Sequence, residues 1–176
     1  MAERHRFFLP PGSLAADRIT IDGEPLHHLR TVLRLGSGSE VLLLDGTGLC
    51  CRARLDSVGR DQAVATTLER RLEREHPCPL RLVQALPKGD KFDLVLQKGT
   101  ELGVTRFQPV LSGRAVARPE AGRARRWERI IVEAARQSRR PCLPQLAPLR
   151  PLAEALADVD EPLRLVLWEQ GARPLA

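Results

Sequence analysis

The sequence is poor in aromatic residues and in cysteine. Only 3% of its 176 residues are aromatic, and none is tyrosine, which argues against an RNA-recognition sheet that stacks bases on Phe and Tyr. The four cysteines form no C-x-x-C pair and the four histidines lack ligand spacing, so neither a disulfide framework nor a metal site is indicated. We therefore expect no bound metal.

Long apolar runs and glycine-rich phosphate loops are also missing. The aliphatic stretches are far shorter than the roughly 18 residues that a membrane span requires. The first ten residues are charged and lack the apolar core of a signal peptide. No GxGxxG or P-loop pattern occurs, which disfavours a dinucleotide-dependent enzyme. We expect a soluble, cytoplasmic protein without membrane contact.

Positive charge is concentrated in the middle of the chain. Residues 76–150 carry 15 Lys and Arg against 6 Asp and Glu, whereas residues 1–75 are neutral and residues 151–176 are net negative. Within this middle segment, residues 114–140 hold nine arginines and three glutamates. The segment is a candidate surface for a polyanion such as RNA, bound through contacts of arginine with phosphate. A solvated helix face is the alternative interpretation.

The first 70 or so residues predict a small β-rich domain, because short apolar runs alternate with turn residues. The predicted elements are a strand over 19–21, a helix over 24–35, a hairpin with strands over 40–44 and 49–56, and a strand over 62–68. Apolar and polar residues alternate in the second hairpin strand, which predicts one buried and one solvated face. Residues 70–79, broken by two prolines, are the predicted link to a second domain.

After this link the apolar period changes to alternating strands and helices. The predicted elements are strands over 80–86, 105–111, 143–146 and 163–168 and helices over 91–102, 122–138 and 151–157. Asp90 is placed to cap the first of these helices and Gly103 to end it. The alternation predicts a mostly parallel α/β sheet, with the strand over 163–168 buried.

Five stretches together resemble one family. They are residues 5–9, 27–35 followed by Glu40-Val41 and Asp45-Gly46, 84–90, 97–104 and 133–138, and they occur in the family's order over nearly the whole chain. The chain is similar to the SPOUT-class methyltransferases that methylate N3 of a uridine in bacterial 16S ribosomal RNA.

The resemblance implies an α+β protein of two domains. Residues 1–72 are expected to form a PUA-like small β-barrel that helps to bind RNA, residues 73–79 a linker, and residues 80–176 the N-terminal part of an α/β SPOUT domain with a trefoil knot. The resemblance further implies S-adenosylmethionine as cofactor, 16S ribosomal RNA or the small ribosomal subunit as partner, and a homodimer.

The sequence departs from the family pattern after its last predicted strand. The family's main cofactor loops, a Gly-Pro-Glu-Gly-Gly type loop and a later Leu-Arg-x-Glu-Thr-Ala type segment, are not found in the sequence. The SPOUT domain is therefore expected to be incomplete in this chain. Two hypotheses stay open: an enzyme whose present chain lacks part of the cofactor site, and a non-catalytic RNA-binding fragment or remnant of the family.

Two residues are candidates for the chemistry. Methylation at N3 of uracil requires that the N3 proton be removed or shared. Arg114 follows the predicted strand over 105–111 at its carboxyl end, where ligands of open α/β sheets bind, and its guanidinium suits phosphate or the uracil carbonyls. Glu101 is a candidate proton acceptor, although Lys98, three residues earlier, favours a polar cluster on the helix surface.

The other candidate residues are basic groups for RNA and the edge of the cofactor site. The predicted RNA-binding residues are His5, Arg6, His28, Arg30, Arg34, Lys88, Lys91, Arg125, Arg129 and Arg139. By resemblance, Trp168 and Glu169 mark the place where the cofactor site begins.

Overall fold

The structure is a computed structural model that describes residues 5–75, 78–113 and 122–167. The strands are β1 (His5–Phe8), β2 (Arg18–Ile21), β3 (Glu40–Leu44), β4 (Leu49–Val58), β5 (Ala63–Leu72), β6 (Arg81–Ala85), β7 (Arg106–Leu111), β8 (Gln145–Leu146) and β9 (Arg150–Pro151). The helices are α1 (Gly23–His27), a π-helical turn (His28–Val32), α2 (Lys91–Glu101), α3 (Arg123–Gln137) and α4 (Leu152–Ala157).

The N-terminal strands form a five-stranded sheet in the order β1-β3-β4-β5-β2. Phe7 of β1 and Ile19 of β2 lie on strands at opposite ends of this order, yet both belong to one buried cluster. The sheet therefore curls around its core into a small barrel. Register shifts within the β4–β5 ladder, between Arg52 and Ala53 and again between Leu55 and Ser57, provide the local bending that such curling needs.

The hairpin of β3 and β4 confirms the predicted strand pairing but not the predicted solvated face. Four of the five residues of β3, from Val41 to Leu44, are buried. Leu42 and Cys50 point away from the barrel core and pack with Ala135 of α3. The expectation of one wet face was wrong at this end of the hairpin, because a second domain covers it, which alternation within one strand cannot reveal.

The helix predicted over 24–35 is present in a shorter and less regular form. It starts at Gly23 and its second half is a π-helical turn, which the amide of Leu33 closes by donating to the carbonyl of His28 at 3.0 Å. Leu29 is fully buried in the barrel core, and Leu33 packs against the same cluster. A π-helical turn contains about one residue more than an α-helical turn, and in this turn Leu29 and Leu33 both face the core.

The second half of the chain contains the predicted βαβ unit. Strands β6 and β7 are parallel neighbours joined by α2. Gly103 follows α2 with a left-handed φ of 95°, as predicted for the residue after a helix end. Asp90 precedes α2 as expected, but its side chain makes no cap hydrogen bond. It lies 3.3 Å from Arg126 of α3 instead.

Helix α3 packs across α2 and the sheet through its predicted apolar stripe. Trp127 and Phe92 meet edge to face with ring centroids 4.7 Å apart, and Ile131 is buried in the same cluster. Ala134 and Ala135 are also buried, and their small side chains allow close approach of neighbouring elements. The helix is therefore fixed on one side by the α/β domain and on another by the barrel.

The last strand of the sequence analysis is not observed. Residues 163–167 have no strand partner, and Leu163, Val166 and Leu167 are 72%, 90% and 88% exposed. The expectation of a buried strand was wrong for these residues: the described sheet consists of β6, β7, β8 and β9, and none of these strands pairs with residues 163–167. In the described part of the chain, no helix is both long enough and apolar enough to cross a bilayer.

Gly99 of α2 faces Phe107 of β7 with no room for a side chain. A Cβ atom at this position would lie 2.6 Å from Cε1 of Phe107. Alanine in a helix normally stabilises a protein by about 1 kcal/mol relative to glycine. We expect Gly99→Ala to lower the free energy of unfolding instead, by about 1 to 3 kcal/mol, because the ring or the helix must shift. Urea denaturation measures this change.

Gly36→Ala is the matched control. A Cβ at Gly36 meets no heavy atom within 4 Å, and this glycine has no positive φ, so we expect a change within about 0.5 kcal/mol. Equal stabilities of the two variants would contradict the close packing of α2 on β7.

Candidate nucleic-acid interface

The two domains share a closely packed apolar interface. Phe8, Leu42, Leu44 and Cys50 of the barrel form one buried cluster with Ala135 of α3. Val132 and Leu143 pack against its border. Burial of apolar surface on both sides stabilises this arrangement against separation of the domains.

Backbone contacts reinforce this interface where the β3–β4 turn meets the segment after α3. The amide of Leu143 donates to the carbonyl of Gly46 at 2.9 Å, and Cys142 forms isolated bridges with Gly46 and Thr47. Gly46 needs to be glycine at this point, since its φ is 77° and a Cβ would lie 2.9 Å from Cδ1 of Leu143. The turn is therefore shaped by its contact with the second domain.

An almost fully buried arginine lies between the two domains. Arg140 is 8% exposed and donates to both carboxylate oxygens of Glu75, at 2.8 Å from Nε and 2.5 Å from Nη2. Its Nη1 donates to the carbonyls of Thr100 and Val104 at the end of α2, at 2.8 and 2.7 Å. The guanidinium thus joins the segment after β5 to the last turn of α2.

Arg6 was predicted to bind RNA, but the structure places it in the domain interface. Its Nη2 donates to the carbonyl of Arg139 at 3.0 Å and lies 3.5 Å from that of Arg140. Burial lowers the pKa of Arg6, partly offset by Glu73. Arg139 itself is exposed and has a left-handed φ of 61°, which turns the chain at the end of α3. The guanidinium of Arg6 therefore binds the backbone of this turn and links β1 to the end of α3.

His28 meets Arg136 of α3 across the same interface. Nη1 of Arg136 lies 2.8 Å from Nε2 and 3.2 Å from Nδ1 of His28. An atom this close to both ring nitrogens cannot lie in the ring plane without colliding with Cε1, so it lies over the ring face. Burial, followed by the charge of Arg136, lowers the pKa of His28. The folded protein therefore favours the neutral imidazole.

Glu133 and Gln137 complete this polar group on α3. Glu133 accepts hydrogen bonds from Nη2 of Arg136 at 2.5 Å and from Nε2 of Gln137 at 3.0 Å. Burial raises the pKa of Glu133, but these hydrogen bonds outweigh it and the net shift is downward. The carboxylate stays charged and holds Arg136 over the ring of His28.

Three arginines form one row along α3. Arg125, Arg129 and Arg136 follow spacings of four and seven residues, which place them on one side of a helix. Arg125 and Arg129 are exposed, and neither forms an ion pair or hydrogen bond within the ranges that the structure describes. The row leads from two exposed guanidinium groups to the contact of Arg136 with the barrel. This is the arrangement that suits a phosphate backbone.

The neighbouring Arg126 differs from the arginines of this row. It forms ion pairs with Asp90, at 3.3 Å, and with Asp93. These pairs tie α3 to the start of α2. Arg126 therefore has a structural role on the same helix, although its exposure resembles that of Arg125 and Arg129.

The other predicted RNA-binding residues are spread over the barrel and the start of α2. His5 is half-buried in β1, and Arg34 is exposed with a left-handed φ of 51°. Nη1 of Arg30 donates to the carbonyl of Arg60 at 3.1 Å, in the turn after β4 and at the end of that strand away from Cys142. Lys88 is exposed between β6 and α2, and Lys91 is exposed at the start of α2.

Of the two candidates for the chemistry, only Glu101 lies within the described residues. Glu101 ends α2 beside the amino end of β7 and accepts a hydrogen bond from Lys98 at 2.7 Å. Arg114 follows β7 at its carboxyl end in the sequence and lies outside the described residues. Trp168 and Glu169 also lie outside them. The geometry of Glu101 favours a surface ion pair over a proton acceptor at the carboxyl edge of the sheet.

An open cavity of about 520 Å³ lies at the amino edge, beside Arg140. Its lining residues are Glu73, Arg74, Glu75, Cys78, Gly103, Thr105, Ser138, Arg139, Arg140 and Pro141. The ends of α2 and α3 both face it, and a helix C-terminus carries partial negative charge. This cavity is therefore a poor site for a phosphate group, despite its arginines.

The described residues do not form a site that fits S-adenosylmethionine. The carboxyl edge offers Lys88 and the start of α2 on one side, but residues 163–167, where a wall is expected, are largely exposed. In the described part of the chain, no group of three His, Cys, Asp or Glu side chains is placed to hold a metal ion.

Comparison with known families gives two matches. A family described as an RNA methyltransferase domain matches residues 74–176, and one described as an RNA methyltransferase PUA domain matches residues 21–68. The first match covers more than half of the chain. Together with the barrel and the parallel α/β sheet, these matches define the class: an RNA methyltransferase domain joined to a PUA domain.

Individual proteins refine this class. The chain is similar to two proteins named ribosomal RNA small subunit methyltransferase E. The one from Synechocystis is 39% identical over 81% of this chain and 47% of its own length. The one from Bacillus subtilis is 33% identical over 90% of this chain and 64% of its own length. The chain belongs to the SPOUT family of RNA methyltransferases that includes ribosomal RNA small subunit methyltransferase E. This confirms the resemblance inferred from the sequence.

Solved structures agree with this assignment. The Neisseria gonorrhoeae ribosomal RNA small subunit methyltransferase E, bound to S-adenosyl methionine, has a TM-score of 0.81 at 33% identity and covers 89% of this chain and 66% of its own. A putative methyltransferase from Legionella pneumophila, in complex with SAM, has a TM-score of 0.87 at 25% identity, over 97% and 73%. The present chain spans 47% and 64% of the two curated relatives described above.

Sequence reasoning missed the residues that join the domains. Glu75, Arg136 and Arg140 were not among the predicted site residues, because their charges look like the rest of a basic, solvated segment. A usable signal was the position of Arg140 just after a predicted helix end, where an arginine can donate to free carbonyls. Its acidic partner was not identifiable, since the two residues are 65 positions apart.

The contact of His28 with Arg136 predicts acid sensitivity. The folded pKa of His28 lies below its ordinary value of 6.5, so protonation favours the unfolded chain. The stabilisation is complete above about pH 6.5 and is lost as the pH falls through the folded pKa. We expect the free energy of unfolding to drop more between pH 7.5 and 5 in the wild type than in His28→Asn. Urea denaturation at each pH, with NMR titration of His28, measures the difference.

The variant His28→Asn also provides the control, because every other titrating group is retained. An identical pH dependence in both proteins would show that folding does not lower the pKa of His28.

Proposed function

We propose that the whole protein methylates N3 of a uridine in 16S ribosomal RNA with S-adenosylmethionine as methyl donor. In this proposal the present chain supplies the RNA-binding barrel and the N-terminal part of the methyltransferase domain, and the active protein is a cytoplasmic homodimer. The names of the relatives support the class of reaction and the small-subunit RNA. The bound ligand in the Neisseria gonorrhoeae structure supports the cofactor.

One observation carries the RNA-binding part of the proposal: the row of Arg125, Arg129 and Arg136 on α3. Its first two guanidinium groups are exposed and unpaired within the described ranges, and its third meets His28 of the barrel. An RNA strand that follows this row is led from the methyltransferase domain onto the barrel. Arginine donates paired hydrogen bonds to phosphate oxygens, which fixes the position of a strand without reading its sequence.

The methyl transfer itself needs an extruded base, a donor in line with N3 and a place for the N3 proton. Arg114 remains our candidate for holding the target phosphate or the uracil carbonyls, on the basis of its position after β7. Glu101 is less suited to accept the proton, because it lies beside the amino end of β7 and pairs with Lys98. The described residues therefore supply RNA binding rather than the reacting groups.

Replacing the exposed pair tests RNA binding. We expect Arg125→Gln/Arg129→Gln to weaken binding of 16S ribosomal RNA about five- to tenfold at 100 mM salt. The slope of log affinity against log salt should fall by about 2, since two phosphate contacts are lost. Fluorescence anisotropy with labelled RNA at several salt concentrations measures both quantities.

Arg126→Gln/Arg150→Gln is the matched control for net charge. Arg126 is paired with Asp90 and Asp93, and Arg150 is paired with Asp158, so neither is expected to contact phosphate. We expect this variant to retain most of the affinity and the slope. Equal losses in both double variants would mean that only net charge matters and that the row on α3 is not the binding surface.

Cofactor binding distinguishes the two hypotheses of the sequence analysis. We expect the 176-residue chain to bind RNA but to show no micromolar binding of S-adenosylmethionine, because residues 163–167 do not form a wall of a pocket. Isothermal titration calorimetry, with the mass of the chain in solution determined in parallel, is the measurement. Micromolar binding would show that the chain builds a cofactor pocket and would make methyl transfer to 16S RNA the next assay.

A further inference from the structure

The ion pair of Arg140 and Glu75 is not explained by the proposed RNA contacts. It lies at the amino edge of the α/β sheet, away from the carboxyl edge where the target is expected, and its side chains are only 9% and 21% exposed. Four hydrogen bonds from one guanidinium are directed at three oxygen-bearing partners: Glu75, Thr100 and Val104. A buried guanidinium that donates this many hydrogen bonds favours one local arrangement of its partners over others.

The pair lies between the segment that leaves the barrel and the segment that follows α3, where a contact can affect the orientation of the barrel. Glu75 lies three residues after Leu72, the last residue of β5. Its position is therefore closely coupled to that of the barrel. Arg140 follows α3, whose exposed row carries the proposed phosphate contacts. The pair therefore connects the segment that leaves the barrel to the segment that follows α3.

Other contacts between the domains converge on the same few residues. The amide of Cys142 lies 3.4 Å from Oε1 of Glu75, and the amide of Leu143 donates to Gly46 of the barrel. Arg6 of β1 donates to the carbonyl of Arg139. Loss of the Arg140–Glu75 pair removes a largely buried polar contact from this set and leaves the apolar cluster around Ala135, which is not directional, to hold the domains together.

We propose that Arg140 and Glu75 are positioning residues for RNA binding: their ion pair holds the barrel at the angle to α3 at which both domains contact one RNA. The proposal rests on the proposed RNA-binding function. Two surfaces that are held in register bind a common ligand more tightly than the same surfaces on a loose joint, because the second contact costs less ordering entropy. Neither residue needs to touch RNA for this effect.

Glu75→Gln separates positioning from electrostatics, because the two predict opposite signs. The variant removes a negative charge, so electrostatics alone predicts tighter RNA binding. Positioning predicts weaker binding, because the amide cannot hold the guanidinium in the same bidentate pair. We expect affinity for 16S ribosomal RNA to fall at least threefold, measured by anisotropy at a fixed salt concentration.

Asp17→Asn is the matched control. It makes the same change of net charge and breaks an ion pair with Arg70, at 3.0 Å, within the barrel alone. We expect its affinity to be unchanged or slightly increased. Glu75→Asp is the second variant, with no change of charge but a shorter reach. It should also bind at least threefold more weakly, and it tests the proposal if Glu75→Gln fails to fold.

Amide hydrogen exchange by NMR supplies a readout that does not depend on RNA. In the Glu75 variants the amide of Leu143, which bonds to the barrel, should exchange faster, while amides in the β3–β4 ladder keep their protection. Unchanged protection of Leu143, or full RNA affinity in both Glu75 variants, would overturn the proposal. If the wild-type chain binds no RNA although Leu143 exchange responds to Glu75, the proposed function fails and the role of the pair in fixing the domains stands.

Discussion

A buried guanidinium needs several hydrogen-bond partners, and this requirement organises the centre of the molecule. Arg140 is satisfied only where the end of α2, the end of α3 and the segment after β5 come together. Removing one partner of such a buried pair typically costs about 3 to 5 kcal/mol, since the other charge stays desolvated. The arrangement of the two domains therefore depends on this meeting point more than on any exposed ion pair.

Helix α3 shows how one element serves both domains and the solvent. Trp127 and Ile131 pack into the core of the α/β domain, Ala135 packs on the barrel, and Arg125 and Arg129 face the solvent. Because the helix is rigid, the exposed arginines keep a constant relation to the barrel contact at Arg136. The proposed RNA surface is thus a consequence of the interface and not an independent patch.

The two edges of the α/β sheet have different roles. At the amino edge, two helix C-termini and a buried ion pair build the joint with the barrel. The carboxyl edge carries Lys88 and the start of α2 and is where ligands of open sheets bind. This division explains why the cavity beside Arg140 is unsuited to phosphate and why Glu101 lies away from the expected chemistry. The relatives bound to S-adenosylmethionine share the fold but extend well beyond the part matched here.

The sequence by itself determined the local elements, the family and the concentration of positive charge. The hairpin of β3 and β4, the βαβ unit around α2 and the apolar stripe of α3 all follow from patterns within a few residues, which local backbone geometry translates directly into strands and helices. Only the tertiary structure decided which charged side chains are free. Arg6 and Arg140 lie in the domain interface, whereas Arg125 and Arg129 are exposed, although all four look alike in the sequence. The second buried face of the hairpin and the unpaired residues 163–167 were also decided there, because burial and strand pairing depend on partners that are distant along the chain.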